Sequence, residues 1–212
     1  LNEQLSTLGT EFSQKLTQAT KDAALVVDTR QELDGLSDAE ITAAAKEAET
    51  RKLPGKFVLT LVNTTQQPQL ASLTNRETRR RLYEASRYRT ARGDANDTRA
   101  IIARMAELRA TRAALLGYPD YATSAMYDRM VKTPAEALDF MARLVTPLAD
   151  KQLAEANELD QAIAASGGNF TVQPWDWDFY SEKVRKAKYD LDQAQVKPYF
   201  EINRVLEDGV FY

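Results

Sequence analysis

The sequence predicts an all-α fold with one short β element near residues 57–62. Three observations predict it. Apolar residues recur at steps of three and four over most of the chain, which sets them on one stripe of a helix. Helix-start signals of the Ser/Thr-x-x-Glu kind stand at Ser37–Glu40, Thr74–Glu77 and Thr133–Glu136, each ahead of such a stretch. Only one short run, Phe57-Val58-Leu59-Thr60-Leu61-Val62, is dense in β-branched and apolar residues and bounded by turn formers.

Taken in order, Leu5, Leu8, Phe12 and Leu16 make the stripe of a first helix, and Asp34-Gly35 marks a turn. Ser37 and Glu40 open a second helix through Ile41, Ala44, Ala45 and Ala48, which Leu53-Pro54-Gly55 stops. The strand follows. A lone strand needs a pairing partner, and no good one stands elsewhere in the sequence, so residues 69–73 or a segment outside the chain are expected to supply it. Thr74 and Glu77 open a third helix carrying Arg76, Arg79, Arg80, Arg81, Arg87 and Arg89. Asp94 or Asp97 starts a fourth, with Ile101, Ile102, Met105, Leu108, Leu115 and Leu116 expected to face inward and Gly117 ending it. Tyr118-Pro119 leads into a short helix to about Tyr127.

The strongest start signal is Thr133-Pro134-Ala135-Glu136, a cap followed by proline in the first turn and glutamate at the third position. The helix behind it carries Leu138, Met141, Val145, Leu148, Leu159 and Ile163 and runs to Ser166-Gly167-Gly168, with a bend expected at Pro147. Trp175-Asp176-Trp177-Asp178-Phe179-Tyr180 then leads a helix to about Lys188. Asp190 and Asp192 read as a turn and helix start, and a last helix is expected from near Pro198 through Phe200, Ile202, Val205 and Leu206 to Asp208-Gly209. The chain reads as one helical segment over 1–212 with a candidate sub-boundary near 54–70. Leu1 is not an initiator methionine, and Val210-Phe211-Tyr212 is an apolar terminus, so both ends are read as cuts in a longer polypeptide.

Composition narrows the chemistry. The chain has no cysteine, hence no disulfide and no thiolate site, which suits a cytoplasmic protein without ruling out a periplasmic one. It also has no histidine, so a Ser-His-Asp triad and a Cys-His pair are excluded, and an open zinc site is not expected. Neither a signal peptide nor a membrane span is legible. Seven arginines between Arg76 and Arg92, with only Glu77 and Glu84 among them, raise nucleic-acid binding. The net charge of −3 and the scarcity of aromatic side chains there (Tyr83 and Tyr88) favour pairing with acidic neighbours or a solvated face. Asp176 and Asp178 are a carboxylate pair, but at i and i+2 on a helix they point apart. Their stronger reading is a helix cap at Asp176 with the two indoles in the core. No catalytic and no metal-ligating residue is expected in the chain, and substrate-binding residues stay unassigned. Trp175, Tyr180 and Tyr199 are the weak candidates, and core packing is the commoner fate of such aromatics.

Several segments in register resemble a known family. They are Ala95-Asn96-Asp97-Thr98-Arg99-Ala100-Ile101-Ile102, Leu115-Leu116-Gly117-Tyr118, Pro174 to Tyr180, Lys188-Tyr189-Asp190-Leu191-Asp192, and Lys197-Pro198-Tyr199-Phe200-Glu201-Ile202-Asn203-Arg204-Val205-Leu206. In this order and spacing they resemble the bacterial peptidyl-dipeptidases (dipeptidyl carboxypeptidases) of the thimet oligopeptidase family, which also holds oligopeptidase A and neurolysin. The resemblance is weakest before about Gln31. It implies a neurolysin-like fold of two helical lobes across a channel, and a zinc metallopeptidase that hydrolyses short peptides and releases C-terminal dipeptides. It also implies a zinc site made by a His-Glu-x-x-His helix and a downstream glutamate. This chain contains none of that. It is therefore expected to be a non-catalytic helical part, inactive alone, that binds no zinc itself. Its expected partners are short peptides in the whole protein and the missing catalytic lobe, not nucleic acid or membrane. The alternatives are a free-standing helical interaction module working through the edge of strand 57–62 and, behind it, nucleic-acid binding through 76–92.

Overall fold

The computed structural model of the protein describes residues 1–64, 66–190 and 193–210, and of residues 193, 194 and 197 it describes the backbone alone. The elements run α1 (Asn2–Asp22), β1 (Leu25–Val27), α2 (Asp38–Thr50), β2 (Phe57–Leu59), α3 (Arg76–Arg87), α4 (Arg99–Leu115), α5 (Tyr121–Met126), α6 (Pro134–Ala165) and α7 (Trp177–Tyr189). Single 3-10 turns stand at Arg30–Leu33 and Pro68–Ala71, and short turns at Gln193–Val196, Lys197–Phe200, Ile202–Val205 and Leu206–Val210 follow α7. The fold is all-α with one small β element.

That β element has a partner inside the chain. β2 pairs antiparallel with β1, in the register Leu25↔Leu59, Val26↔Val58 and Val27↔Phe57. The expectation of residues 69–73 or an outside segment is thus corrected. Three residues directly after a helix are too few to show a period-two pattern, so β1 was illegible. The strand also stops at Leu59 rather than continuing to Val62. Beyond it, the Val62 N–H donates to the buried Gln67 side chain (2.9 Å) and the Val62 carbonyl accepts from Arg89 Nη1 (3.0 Å). Side chains, not a ladder, satisfy the backbone there.

Two of the three capping boxes form as read. Ser37 accepts from the Glu40 N–H while the Glu40 carboxylate accepts from the Ser37 N–H; Thr133 and Glu136 do the same at the start of α6. The third is displaced by one residue. Asn75 caps α3, accepting from the Thr78 N–H at 3.0 Å. Thr74 instead donates through both its N–H (2.8 Å) and its hydroxyl (3.0 Å) to the Asp34 carbonyl. This ties the start of α3 to the turn at Gly35. There φ is +96° and an added Cβ would lie 2.0 Å from the Ser72 carbonyl oxygen, so only glycine fits.

Helix α4 begins at Arg99, with Asp97 accepting from the Arg99 N–H at 3.0 Å. Ile101 and Leu108 are buried as expected, but Ile102, Leu115 and Leu116 are exposed. α1 and α4 pack antiparallel, with Lys15 donating to the Ala95 carbonyl at one end and Glu3 to Leu8 beside Arg104 and Leu108 at the other. Beyond Leu108 the cover changes: α5 packs against α4 and Ala113 is buried, while Leu115 and Leu116 point away from that contact. Helix α6 runs unbroken through Pro147. The last helix is corrected too: Glu201, extended at φ −62° and ψ 131°, caps a turn beginning at Ile202, and Pro198 belongs to a separate turn. Asp190 closes α7 in a left-handed conformation, and Asp192 lies outside the described residues.

Two cores result. The first joins Ala23, Leu25, Val27, Leu33, Leu36, Ile41, Ala44, Leu59, Leu61, Leu70, Leu73 and Leu82, so it draws on β1, α2, β2 and α3. The second joins Leu159 and Ile163 of α6 to Phe179 and Tyr180 of α7, with Phe170, Val172, Trp177 and Val184 against them.

Candidate functional site

Where the two cores meet, beside the packing of α7 on the turn Pro68–Ala71, lies one buried carboxylate. Asp176 has no solvent exposure. Its oxygens accept from Arg76 Nε (3.1 Å to each), Arg76 Nη2 (2.8 Å), Arg79 Nη2 (2.9 Å) and the Gln173 N–H (3.2 Å). Arg79, 2% exposed, also donates to the carbonyls of Leu73 and Thr74 and lies 4.3 Å above the Phe179 ring. Arg76 stacks on Phe170 at 3.8 Å. Asp176 does stand at the position preceding α7, but its side chain makes no cap bond. The cap reading is corrected: two guanidinium groups one turn apart on α3 outcompete a backbone N–H for the charge.

Beside this seam lies a groove of about 710 Å³ between α3, α6 and the segment leading into α7. Tyr83, Leu153, Val172, Pro174 and Trp177 line it with apolar surface, and Arg87, Asn157, Asp160, Gln173 and Asp178 add polar groups. Asp160 accepts from the Val172 N–H at 2.7 Å and so fixes the wall that carries Val172. A second hollow of about 500 Å³ opens across Asp178, toward Gln67, Pro68, Ser181 and Arg185. Asp178 is half-buried, and that burial pushes its carboxyl above the ordinary value of 3.8. A groove with aromatic walls and a few convergent polar groups suits an extended, partly apolar segment such as a peptide.

The sequence candidates fall on different ground. Trp175 is half-buried, edge-on to Tyr83 at 6.4 Å between ring centres, with its indole N–H unpartnered. Tyr180 is buried in the second core against Phe170 and Phe179. Tyr199 is exposed and lines neither hollow. The structure brings none of these three into the groove; it brings Trp177 and Asp178 there instead. Tyr83, Leu153 and Val172 carried no local signal, because their common surface arises from elements far apart in sequence.

The arginines of 76–92 are largely engaged within the chain. Besides Arg76 and Arg79, Arg80 bridges Glu77 and Glu84, and Arg81 pairs with Glu32 while donating to the Val26 carbonyl. Arg89 holds Val62, and Arg92 lies 3.4 Å from Asp94. Arg87 reaches the groove. A zinc ion does not fit the donor set: the sequence has no imidazole or thiol, and among the described residues no three carboxylates cluster to hold a metal. Among the described residues no helix is long and apolar enough to cross a membrane.

The sequence pattern of peptidase family M3 matches residues 69–212. The chain is similar to a dipeptidyl carboxypeptidase of Salmonella typhimurium, 48% identical over 212 residues, which is 100% of this chain and 31% of that protein. It is 46% identical over 212 residues to the dipeptidyl carboxypeptidase of Escherichia coli, with the same coverage. Oligopeptidase A of Escherichia coli is 30% identical over 214 residues, 98% of this chain and 31% of that protein. The chain thus spans about a third of the length of the curated relatives it matches.

Proposed function

Because the chain belongs to peptidase family M3, we propose that it is a non-catalytic helical part of a zinc metallopeptidase that hydrolyses short peptides and releases C-terminal dipeptides. One observation carries this reading. Identity to dipeptidyl carboxypeptidases extends over all 212 residues, while the same residues include no histidine. A hydrolytic zinc needs imidazole ligands and an open position, so the metal and its water belong to the rest of the polypeptide. When bound there, zinc supplies the polarised carbonyl and the activated water. The helices described here contribute a wall. The groove beside Trp177 is the part of that wall suited to peptide, with Tyr83 and Trp177 offering flat apolar contact and Arg87 a cation for a carboxylate. The absence of cysteine suits a cytoplasmic setting.

The test is direct. The purified 212-residue chain is expected to bind no zinc by metal analysis and to leave a blocked tripeptide uncut. The same chain continued through its reading frame is expected to contain His-Glu-x-x-His, hold zinc and release the C-terminal dipeptide. Stoichiometric zinc and turnover in the 212-residue chain would overturn the reading, as would a longer frame without that motif.

A further inference from the structure

One arc of α6 carries two apolar segments, separated on that arc by Gln152 and Glu155, and only the second of them is covered. At 3.6 residues per turn, Leu138, Met141, Leu144, Val145 and Leu148 share one arc of about 120° with Leu159 and Ile163. α7 covers the last two, which are 3% and 1% exposed. The first five have between 41% and 62% of their surface in water. Chemistry on the opposite side of the same turns identifies the solvent face: Asp139 and Arg143 pair there at 3.3 Å, each side chain 70% exposed. A helix with a paired polar face and a bare apolar stripe is built to be covered. The steps from Leu138 to Met141, Val145 and Leu148 are three, four and three, the spacing at which a second helix interlocks.

We infer that the first half of α6 is the docking face for a helix from the remainder of the same polypeptide. This rests on the functional reading above. Two things on the molecule support that occupant. The relatives that match all 212 residues are about three times longer, so such a protein has other segments to cover the stripe. The further turns of the same arc already accept an apolar helix face, with Phe179, Tyr180 and Val184 of α7 seated around Leu159 and Ile163. The occupant continues that arrangement. It is a helix of at least three turns whose seam carries aliphatic or aromatic side chains and no charge.

The chain has no cysteine, so a single introduced thiol reports coverage. Val145→Cys on the stripe and Asp139→Cys on the polar face are made in the polypeptide continued through its reading frame, and maleimide labelling is located by peptide mass mapping. The Val145→Cys thiol is expected to react about 100-fold more slowly than the Asp139→Cys thiol, with Met141→Cys behaving like Val145→Cys should the former fold poorly. Equal rates at stripe and polar face would overturn the docking face. Protection that appears in the 212-residue chain alone and grows with its concentration would assign the stripe to a second copy and also overturn it. Peptidase activity is read separately on the same samples. A polypeptide that cleaves peptides while the stripe labels freely refutes the docking face alone, and one with a protected stripe and no cleavage refutes the functional reading alone.

Discussion

Replacing Asp176 with asparagine is the sharpest perturbation of this molecule. The substitution keeps the shape, removes the charge and turns one acceptor oxygen into an NH2 that faces guanidinium donors. Breaking a buried pair by neutralising one partner costs about 3–5 kcal/mol, because the other charge stays behind. Here the remaining charge is mainly that of Arg79, which is 2% exposed but retains two carbonyls and the Phe179 ring. Those contacts set the loss at the lower end, about 3 kcal/mol. For a chain of this length each kcal/mol moves the melting temperature by about 2–4 °C, so the expected drop is about 6–12 °C. Arg76 is 38% exposed, and Arg76→Met is expected to lose only about 1 kcal/mol. Urea titration followed by far-UV circular dichroism measures both, with a slope that should stay unchanged. An Asp176→Asn variant within about 0.5 kcal/mol of the unsubstituted chain would refute the view that this carboxylate holds the two cores together.

Three further outcomes are expected. Burial pushes the Glu32 carboxyl up, but hydrogen bonds from the Thr29 and Asp28 amides, the Thr29 hydroxyl and Arg81 outweigh it and hold the group below its ordinary 4.5. Its contribution is therefore present above that value and lost as pH falls through the lower folded value, so Glu32→Gln should flatten the fall in melting temperature as pH drops below 4.5; an unchanged acid limb contradicts this. Asp178 has the opposite sign: its folded value is raised, so stability falls as pH rises above 3.8. Asp178→Asn should raise the melting temperature near neutrality and lose that gain near pH 3, and a lowered melting temperature at neutrality would mean the carboxylate is held by a partner. Gly35→Ala should destabilise by about 3 kcal/mol or more, combining left-handed strain with a backbone clash; chemical denaturation showing less than about 1 kcal/mol would mean the turn relaxes freely.

What the sequence made legible was local. Helix positions, the Ser37 and Thr133 caps and the break at Gly167 follow from patterns within a few residues of one another. What it hid depends on distant neighbours. β1 is a strand only because β2 lies beside it. Leu115 and Leu116 sit on a good helical pattern, yet they are exposed while the neighbouring Ala113 is buried, a choice of side that only the tertiary packing makes. Asp176 has every local mark of a cap, and two arginines about a hundred residues earlier claim it. The groove is the extreme case. Tyr83, Leu153 and Trp177 share a surface through tertiary packing alone, so no spacing rule finds it.

The same carboxylate has a consequence during synthesis. The helix bearing Arg76 and Arg79 leaves the ribosome well before residue 176 exists, and at about 5–20 residues per second the interval is about 5–20 seconds. Of the partners Arg79 has in the folded structure, the carbonyls of Leu73 and Thr74 are made before it, whereas Asp176 and Phe179 come about a hundred residues later. During synthesis, contact between the two cores through this carboxylate therefore becomes available only once residue 176 has been made.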